Sequence, residues 1–251
     1  LDTYTGASKA YSLRKLKTGV TNVVRVRRSS DNTEQNFTPT EITDGTLTTF
    51  TGVNDGFVAT WYDQSGNSND ATQSSASEQP QLVSSGVVNT DNGKPYILNQ
   101  KTTLGLKYTG TTGLNGSNGT MFATYNSNNT GAHILLTQGS SVYLGTFQPS
   151  NTSRPDADSG TPTYYSNGVL ITPTTRGALY SEYVVNQDVL STTLNIDFGI
   201  TGAWGNRIIL YNYISKVMES SKGKEIIIYN TDQTTNQAGI ESNINTYYSI
   251  Y

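Results

Sequence analysis

The sequence predicts an all-β fold, a jelly-roll β-sandwich that ends in a short helix. Three observations lead to this prediction. The 251-residue chain is only 34% hydrophobic and 14% charged, and much of the remainder is Gly, Thr, Ser and Asn. Short apolar and aromatic runs alternate with polar, turn-forming stretches. No long helical pattern separates these runs, so we expect antiparallel strands packed in two layers.

The predicted strands are short and carry apolar residues at every second position. In the first, Val24 and Val26 alternate with Arg25 and Arg27, so the arginines, with Arg28, are expected to form a solvated face. The strands are predicted at 23–28, 57–62, 96–98, 120–125, 133–137, 141–147, 168–172, 178–185, 194–200, 207–213 and 225–229.

Three segments are predicted to be helical. Residues 10–17 and 46–50 are each expected to form one or two turns. At the C-terminus Asp232 can cap a longer helix, which we expect to pack back on the sandwich and close the fold. Its apolar stripe consists of Ile240, Ile244, Tyr247, Tyr248 and Tyr251.

Neither an internal repeat nor a linker divides the chain, which predicts one domain over 1–251. Two long polar loops are expected at 109–119 and 149–162. The chain starts at Leu1 without Met or a signal-peptide pattern, so it is expected to be processed or part of a longer polypeptide.

Composition excludes several kinds of chemistry. The chain has no cysteine and a single histidine, His133, which rules out thiol catalysis, cysteine zinc sites and multi-histidine metal sites. The net charge is −3, so no nucleic-acid partner is expected. No apolar run approaches the ~18–20 residues of a membrane helix, so no membrane insertion is expected.

The most informative segment is Trp61–Ala71, in which a strand with two aromatic residues runs into a turn rich in carboxylates and amides. The strand is expected to place Phe57, Ala59 and Trp61 on one face. In a structural interpretation, Asp63 and Ser65 bond the backbone of their own turn while the glycine of this turn adopts a positive φ.

Two functional interpretations of the same segment stay open. Trp61 or Tyr62 could stack on a sugar while polar side chains bind its hydroxyl groups. Calcium could instead bind, because it prefers hard oxygen ligands such as Asp63 and Asp70, although the spacing matches no standard calcium loop. The polar side chains concerned are Asp63, Asn67, Asn69 and Asp70.

A second candidate for ligand contact is Trp204, which lies in a turn between Gly202 and Gly205. A large ring in such a turn is not easily explained as core, and exposed aromatic residues tend to mark binding surfaces. We therefore add Trp204 to the predicted glycan-binding residues.

Several of these segments resemble a known enzyme family. Residues 11–14 (YSLR), 24–31 (VRVRRSSD) and 61–71 (WYDQSGNSNDA) are similar to the N-terminal part of family 54 α-L-arabinofuranosidase catalytic domains. The resemblance covers roughly the first hundred residues and implies a concanavalin A-like β-sandwich. Residues 225–230 and 243–248 instead resemble the closing strand and helix of laminin-G-type domains in bacteriophage structural proteins and bacterial surface proteins.

The arabinofuranosidases carry cysteines, and their catalytic carboxylates lie in parts of the domain that do not align here. A retaining glycosidase needs two carboxyl groups ~5 Å apart and an inverting one roughly 6.5–9.5 Å. No residue pattern identifies such a pair, so no catalytic residue is assigned. The acids in the middle of the chain are Asp156, Asp158, Glu182, Asp188 and Asp197.

Three functions follow as hypotheses. The first is a non-catalytic, lectin-like domain on a virion or cell surface that attaches to cell-surface glycans. The second is a structural decoration or fibre protein of a phage particle, which assembles with other surface proteins and as a homo-oligomer. The third is an arabinofuranosidase-like glycoside hydrolase. An extracellular location is expected, and no cofactor other than a possible calcium ion.

Overall fold

Two layers of antiparallel β-strands stack face to face in the computed structural model. The structure describes residues 1–99, 105–108, 118–127, 133–138, 142–147, 163–171, 192–197, 207–212 and 221–250. The strand pairs in these residues are all antiparallel. The predicted all-β sandwich with a C-terminal helix is confirmed.

The first sheet has the strand order β3–β2–β4–β5–β11–β18–β13–β14, and β6 continues along the same edge of β4 as β5. Its strands, numbered in chain order, are β2 (Val24–Arg28), β3 (Glu34–Phe37), β4 (Gly56–Trp61), β5 (Ala71–Thr72), β6 (Gln81–Ser84), β7 (Val87–Val88), β11 (Leu106–Tyr108), β13 (His133–Gln138), β14 (Val142–Phe147) and β18 (Arg207–Asn212).

The second sheet has the order β1–β19–β12–β17–β15–β16, with β10 beside the start of β19. One pairing, Leu98 with Gln81, joins the two sheets through β10 and β6. The strands are β1 (Ala7–Ser12), β10 (Ile97–Asn99), β12 (Asn118–Ser127), β15 (Thr163–Ser166), β16 (Val169–Ile171), β17 (Thr192–Asp197) and β19 (Ser221–Tyr229); β8 (Thr90–Asp91) and β9 (Lys94–Pro95) form a separate hairpin.

Three α-helices accompany the sheets in the described residues, together with one 3₁₀ turn at Ala76–Glu78. Two are short: α1 (Pro39–Thr43) and α2 (Thr46–Thr51), the second of which confirms the helix predicted at 46–50. The third, α3 (Gln237–Tyr248), lies on the outer face of the second sheet. No helix in these residues has both the length and the apolarity needed to span a bilayer.

Two hydrophobic cores follow from this arrangement. The core between the sheets contains Trp61 and Tyr11, whose ring centroids are 5.7 Å apart, together with the valines of β2. The second core lies between α3 and the outer face of the second sheet, where Ile240 and Ile244 pack near Phe122. The predicted packing of the C-terminal helix on the sandwich is therefore confirmed.

The helix predicted at 10–17 is wrong. Residues Ala7–Ser12 form β1 and pair with β19, with Tyr11 opposite Ile226. The pairing partner lies more than 200 positions away in the chain, and burial on both faces overrides the helix-compatible composition of the segment.

The predicted alternation of side chains between the two faces of residues 57–62 is also wrong, from Ala59 onward. Arg25 pairs with Thr60 and the next residue of β2 pairs with Val58, so Ala59 is an extra residue in a β-bulge. The bulge shifts the phase of β4, and both Val58 and Trp61 enter the core between the sheets.

The prediction of a solvated arginine face is correct for Arg25 but wrong for Arg27. The Arg27 side chain is buried, and its Nε donates to Gln79 Oε1 at 2.6 Å. Its guanidinium also lies over the Phe57 ring, 5.0 Å from the centroid.

The remaining strand predictions in the described residues are confirmed with small changes of their bounds. Residues 178–185, 109–117 and 149–162 lie outside the described residues. At the C-terminus Asp232 does not cap α3, which begins at Gln237 after Asn236. The Asp232 carboxylate instead accepts from the backbone N–H of Thr234 at 2.8 Å.

Candidate functional site

The turn that follows β4 is fastened to the outer edge of β1. The backbone N–H of Gln64 donates to the Ala10 carbonyl at 2.7 Å, and Ala10 N–H donates back to Asp63 Oδ1 at 2.9 Å. The Asn67 side-chain amide donates to the carbonyls of Ala7 and Ser8, both at 3.1 Å. The turn thus supplies the partners that a neighbouring strand would give, and it protects an otherwise open sheet edge.

Asp63 is the centre of this turn. Oδ1 accepts from the N–H groups of Ala10 and Ser65, each at 2.9 Å. Oδ2 accepts from the Ser65 hydroxyl at 2.8 Å and from Asn69 N–H at 3.0 Å. Four donors therefore occupy the carboxylate, and the structural interpretation of the segment accounts for Asp63, Asn67 and Asn69.

Gln64 is a residue that the sequence reasoning missed. Its side chain is buried, accepts from Leu16 N–H at 2.8 Å and donates to the Ser12 carbonyl at 2.8 Å. It thus orders the chain that leaves β1. Its place in the middle of a dense polar turn was the available clue, because a turn that folds against a sheet buries part of its polar side chains and must satisfy them.

Trp61 cannot stack on a sugar in this structure. It has 0% exposure and packs against Tyr11 in the core between the sheets. The predicted glycan contact of Trp61 is corrected accordingly, and the physical reason is the bulge at Ala59 that turns the indole inward.

Tyr62 is the first residue after β4, and its side chain is half-buried. Its hydroxyl donates to Asn36 Oδ1 on β3 at 2.8 Å, which fixes the direction of the ring. Burial raises the pKa of the Tyr62 phenol, so the hydroxyl is neutral near pH 7. Beside it on β2 and β3, Arg25 and Glu34 form an exposed ion pair with an N–O distance of 3.5 Å.

Asp70 completes this region, because its charge acts on the Tyr62 phenol. One carboxylate oxygen accepts from Asp63 N–H at 2.9 Å. Burial, with a smaller contribution from the Asp63 carboxylate, raises the pKa of Asp70. We name Arg25, Glu34, Asn36, Tyr62 and Asp70 the Tyr62 patch.

The Tyr62 ring differs from several other partly exposed aromatic rings in the described residues. The rings of Phe50, Phe57 and Tyr96 each have a cationic side chain at about 5 Å. Tyr247 has Lys94 at 4.2 Å and Arg14 at 5.0 Å. In the part of the chain that the structure describes, no aromatic ring or cationic side chain stacks on the half-buried Tyr62 ring.

The geometry offers little support for calcium at this turn. The Asp63 oxygens already accept four hydrogen bonds from the protein. In the described ranges no three His, Cys, Asp or Glu side chains come together as a metal-binding group. Asp63 and Asp70 therefore do not form a calcium site with a third carboxylate from these ranges.

A second polar centre lies under α3. Arg14 donates from Nε and Nη2 to the two oxygens of Glu225, at 2.7 and 2.9 Å, and from Nη2 to Asn243 at 2.8 Å. Ser12 also donates to Glu225, at 2.9 Å. Burial opposes the charged form of the guanidinium, but the Glu225 carboxylate outweighs it and the pKa of Arg14 is raised.

Sequence reasoning missed the role of Glu225 because its partner is 211 positions away. Glu225 has 0% exposure and therefore acts as a structural anion in this arrangement rather than as a group that touches a ligand. Trp204 lies outside the described residues, and the glycan contact predicted for it stays a prediction.

Comparison with known proteins yields a likeness of fold. No family model matches the chain, and no curated protein matches it. The chain is similar to a GH54 α-L-arabinofuranosidase soaked with a cyclic sulfate inhibitor, with 16% identity and a TM-score of 0.50. It is also similar to a glutamate-to-glutamine mutant of a GH54 α-L-arabinofuranosidase soaked with 4-nitrophenyl α-L-arabinofuranoside, with 15% identity and a TM-score of 0.53.

Both likenesses cover 95% of this chain but 62% of the solved chain, so the chain spans less than two thirds of these structures. At such low identity the comparison shows the fold alone. The β-sandwich of the chain resembles that of the family 54 arabinofuranosidases.

Proposed function

We propose that the chain is a carbohydrate-binding β-sandwich that recognises arabinofuranosyl-containing glycans through the Tyr62 patch. The observation that carries the proposal is the half-buried Tyr62 ring, held by Asn36 and uncovered by other rings or cations in the described residues. The resemblance of the fold to GH54 α-L-arabinofuranosidases supports the choice of sugar.

The chemistry of the patch suits a neutral sugar. A tyrosine ring offers an apolar face to sugar C–H groups and a polar tip to hydroxyl groups. Arg25 and Glu34 carry opposite charges 3.5 Å apart, so they supply donors and acceptors with no net charge between them. Asp70 has one carboxylate oxygen held by Asp63 N–H and offers the other as an acceptor.

Isothermal titration of the folded chain with arabino-oligosaccharides tests the proposal, after a screen on a broad glycan array. We expect Tyr62→Ala to weaken binding by about tenfold or more, because the stacking surface is lost. Tyr62→Phe keeps the ring and should retain most of the affinity. Tyr165→Ala, a half-buried tyrosine on β15 of the other sheet, is the matched control.

Binding that is unchanged in Tyr62→Ala would overturn the assignment to this patch. If Trp204→Ala abolished binding instead, the predicted contact at Trp204 would replace it. If no glycan bound to the folded chain, the carbohydrate-binding proposal would fail as a whole.

A second candidate is an arabinofuranosidase-like glycoside hydrolase. The similarity extends over 95% of this chain to a protein soaked with 4-nitrophenyl α-L-arabinofuranoside. Release of 4-nitrophenol from that compound by the purified chain would support hydrolysis. A chain that binds arabino-oligosaccharides without releasing 4-nitrophenol would be a binding domain only.

The predicted location and assembly stay predictions. We propose an extracellular site of action on a virion or cell surface, and a homo-oligomer that can contact other surface proteins. Light scattering of the purified chain checks the oligomer, since a monomer at all accessible concentrations would contradict it.

A further inference from the structure

A cavity of about 210 Å³ lies between residues 1–4, the segment after β1 and helix α3. At ~30 Å³ for each water, it has the volume of about seven water molecules. This is the scale of one small ring and not of an oligosaccharide chain. The cavity shares no lining residue with the Tyr62 patch.

One wall of this α3 cavity is aliphatic. Leu16, Ile227, Ile240 and Ile244 line it, and all four side chains are buried in the second core. Such a wall favours the C–H face of a ligand over a charged group, because a charge there would lose its hydration without a partner.

The rest of the lining is mostly polar and carries charges of both signs, on Asp2, Arg14 and Lys15. The Arg14 guanidinium is fixed by Glu225 and Asn243, and it lies 5.0 Å from the Tyr247 ring centroid. In the described residues Nη1 of Arg14 donates no hydrogen bond, so two N–H groups are available in a fixed position. Because Glu225 cancels the charge, Arg14 presents donors without attracting an anion strongly.

Tyr4 closes the cavity with a specific contact. A Cβ at position 239 would overlap the Tyr4 hydroxyl, so the Tyr4 ring lies directly against the backbone of α3 at Gly239. The Tyr229 hydroxyl donates to the Tyr4 carbonyl at 2.8 Å and holds the same segment from the sheet side. Glycine at 239 is therefore a condition for this closure.

We propose that the α3 cavity binds a single neutral polyhydroxylated ring, a pentose or hexose unit, as a second site independent of the Tyr62 patch. The aliphatic wall takes the C–H face of the ring. The Arg14 Nη1 group donates to ring hydroxyls, and Asn243 and Tyr4 line the same polar side.

The experiment is an NMR titration of the ¹⁵N-labelled chain with L-arabinose, D-galactose and, in a second arm, arabinobiose. We expect saturable shifts of the amides of Leu16, Gly239 and Asn243. Shifts with the monosaccharides identify a free sugar as ligand, whereas shifts with arabinobiose alone identify the terminal unit of a glycan. Either pattern supports the site.

Gly239→Ala is the decisive variant, because alanine favours the helix while its Cβ displaces the Tyr4 ring. We expect its affinity for the sugar to fall by about tenfold or more. Asn243→Ala, at an exposed position, should weaken binding even if Gly239→Ala fails to fold. Ser242→Ala, an exposed neighbour on α3, should bind as the wild type.

The absence of shifts at cavity residues with all three sugars would overturn the inference. Shifts that persist unchanged in both Gly239→Ala and Asn243→Ala would do so as well. Tyr62→Ala separates the two sites: it should abolish binding at the patch and leave the cavity shifts intact.

Discussion

The Asp63 carboxylate accepts hydrogen bonds from four donors that belong to two separate parts of the chain. Ala10 N–H comes from the edge of β1, and the other three donors come from the turn itself. A single short side chain thus orders the turn and attaches it to the sheet. The Asp63 carboxylate, which the sequence predicts as a sugar-binding group, therefore orders the turn in this structure.

Replacement of this carboxylate should be costly. In Asp63→Asn one oxygen becomes an amide that faces hydrogen-bond donors, so at least one partly buried donor loses its partner. We expect the free energy of unfolding to fall by about 2–3 kcal/mol, measured by urea denaturation. Ser74→Ala, at an exposed position, is the control. A loss below ~0.5 kcal/mol in Asp63→Asn would contradict the assigned role.

Tyr248 should make the fold sensitive to alkali. Burial raises the pKa of its phenol far above the usual value, and the hydroxyl donates to the Lys224 carbonyl at 3.2 Å. Above pH 10 the unfolded state releases this proton while the folded state keeps it, so stability falls as pH rises.

Urea denaturation between pH 8 and pH 11 measures this effect. We expect Tyr248→Phe to be less stable than the wild type at pH 8 but to lose less stability between pH 9 and 11. Equal slopes for the two proteins would show that Tyr248 does not carry the alkaline sensitivity.

At the scale of elements, the hairpin between β6 and β7 shows how two turns become interlocked. Gly86 has a φ of +81° and donates its N–H to the Asn54 carbonyl at 3.1 Å. A Cβ at this position would overlap the Gly52 carbonyl oxygen. The backbones of the two turns therefore meet at a point where only glycine fits.

Gly86→Ala and Gly93→Ala form a matched pair that separates strain from contact. Gly93 has a similar φ of +71°, but nothing lies within 4 Å of an added Cβ. We expect Gly93→Ala to lose about 1–2 kcal/mol from backbone strain alone. Gly86→Ala should lose at least ~1 kcal/mol more by thermal or urea unfolding, as overpacking adds to the strain. Equal losses would contradict the contact.

Helix α3 contributes a second core by covering the outer face of a sheet. Ile244 is 1% exposed and packs in the cluster that contains Phe122 and Ile227. We expect Ile244→Ala to lower the free energy of unfolding by about 2–4 kcal/mol through burial lost and a cavity created. Ser242→Ala on the exposed face should change it by less than ~0.5 kcal/mol. Similar stabilities of both variants would mean that α3 contributes little.

At the scale of the whole molecule, we expect that calcium does not contribute to the stability of the fold that the described residues form. The Asp63 oxygens are occupied by protein donors, so removal of calcium leaves their partners in place. We expect the same Tm in EDTA and in millimolar calcium. A fall of about 4 °C or more in EDTA would reveal a metal that stabilises the molecule by more than ~1 kcal/mol.

Local patterns predicted the sandwich well where one face of a strand meets the core. The alternation of Val24 and Val26 identified β2, and the stripe containing Ile240 and Ile244 identified α3. The capping box that Thr38 and Glu41 form at the start of α1 is likewise a local pattern of the sequence.

The errors arose where distant pairing decides the structure. Residues Ala7–Ser12 form a strand only because β19 lies beside them, and the Ala59 bulge redirects Trp61 without any mark in the sequence. The Tyr62 patch likewise depends on Asn36, which belongs to a polar strand with no apolar alternation. The sequence therefore predicts two residues of the Tyr62 patch, Tyr62 and Asp70, but not their neighbours on β2 and β3.

The pairing of β1 with β19 has a consequence for biosynthesis. Ala7 and Tyr229 lie at opposite ends of the chain, yet they are directly opposed in the second sheet. At ~5–20 residues per second, β1 leaves the ribosome on the order of tens of seconds before its partner exists. The turn at Asp63 is synthesised early in that interval and covers only the outer edge of β1, so the edge that pairs with β19 stays open until β19 exists.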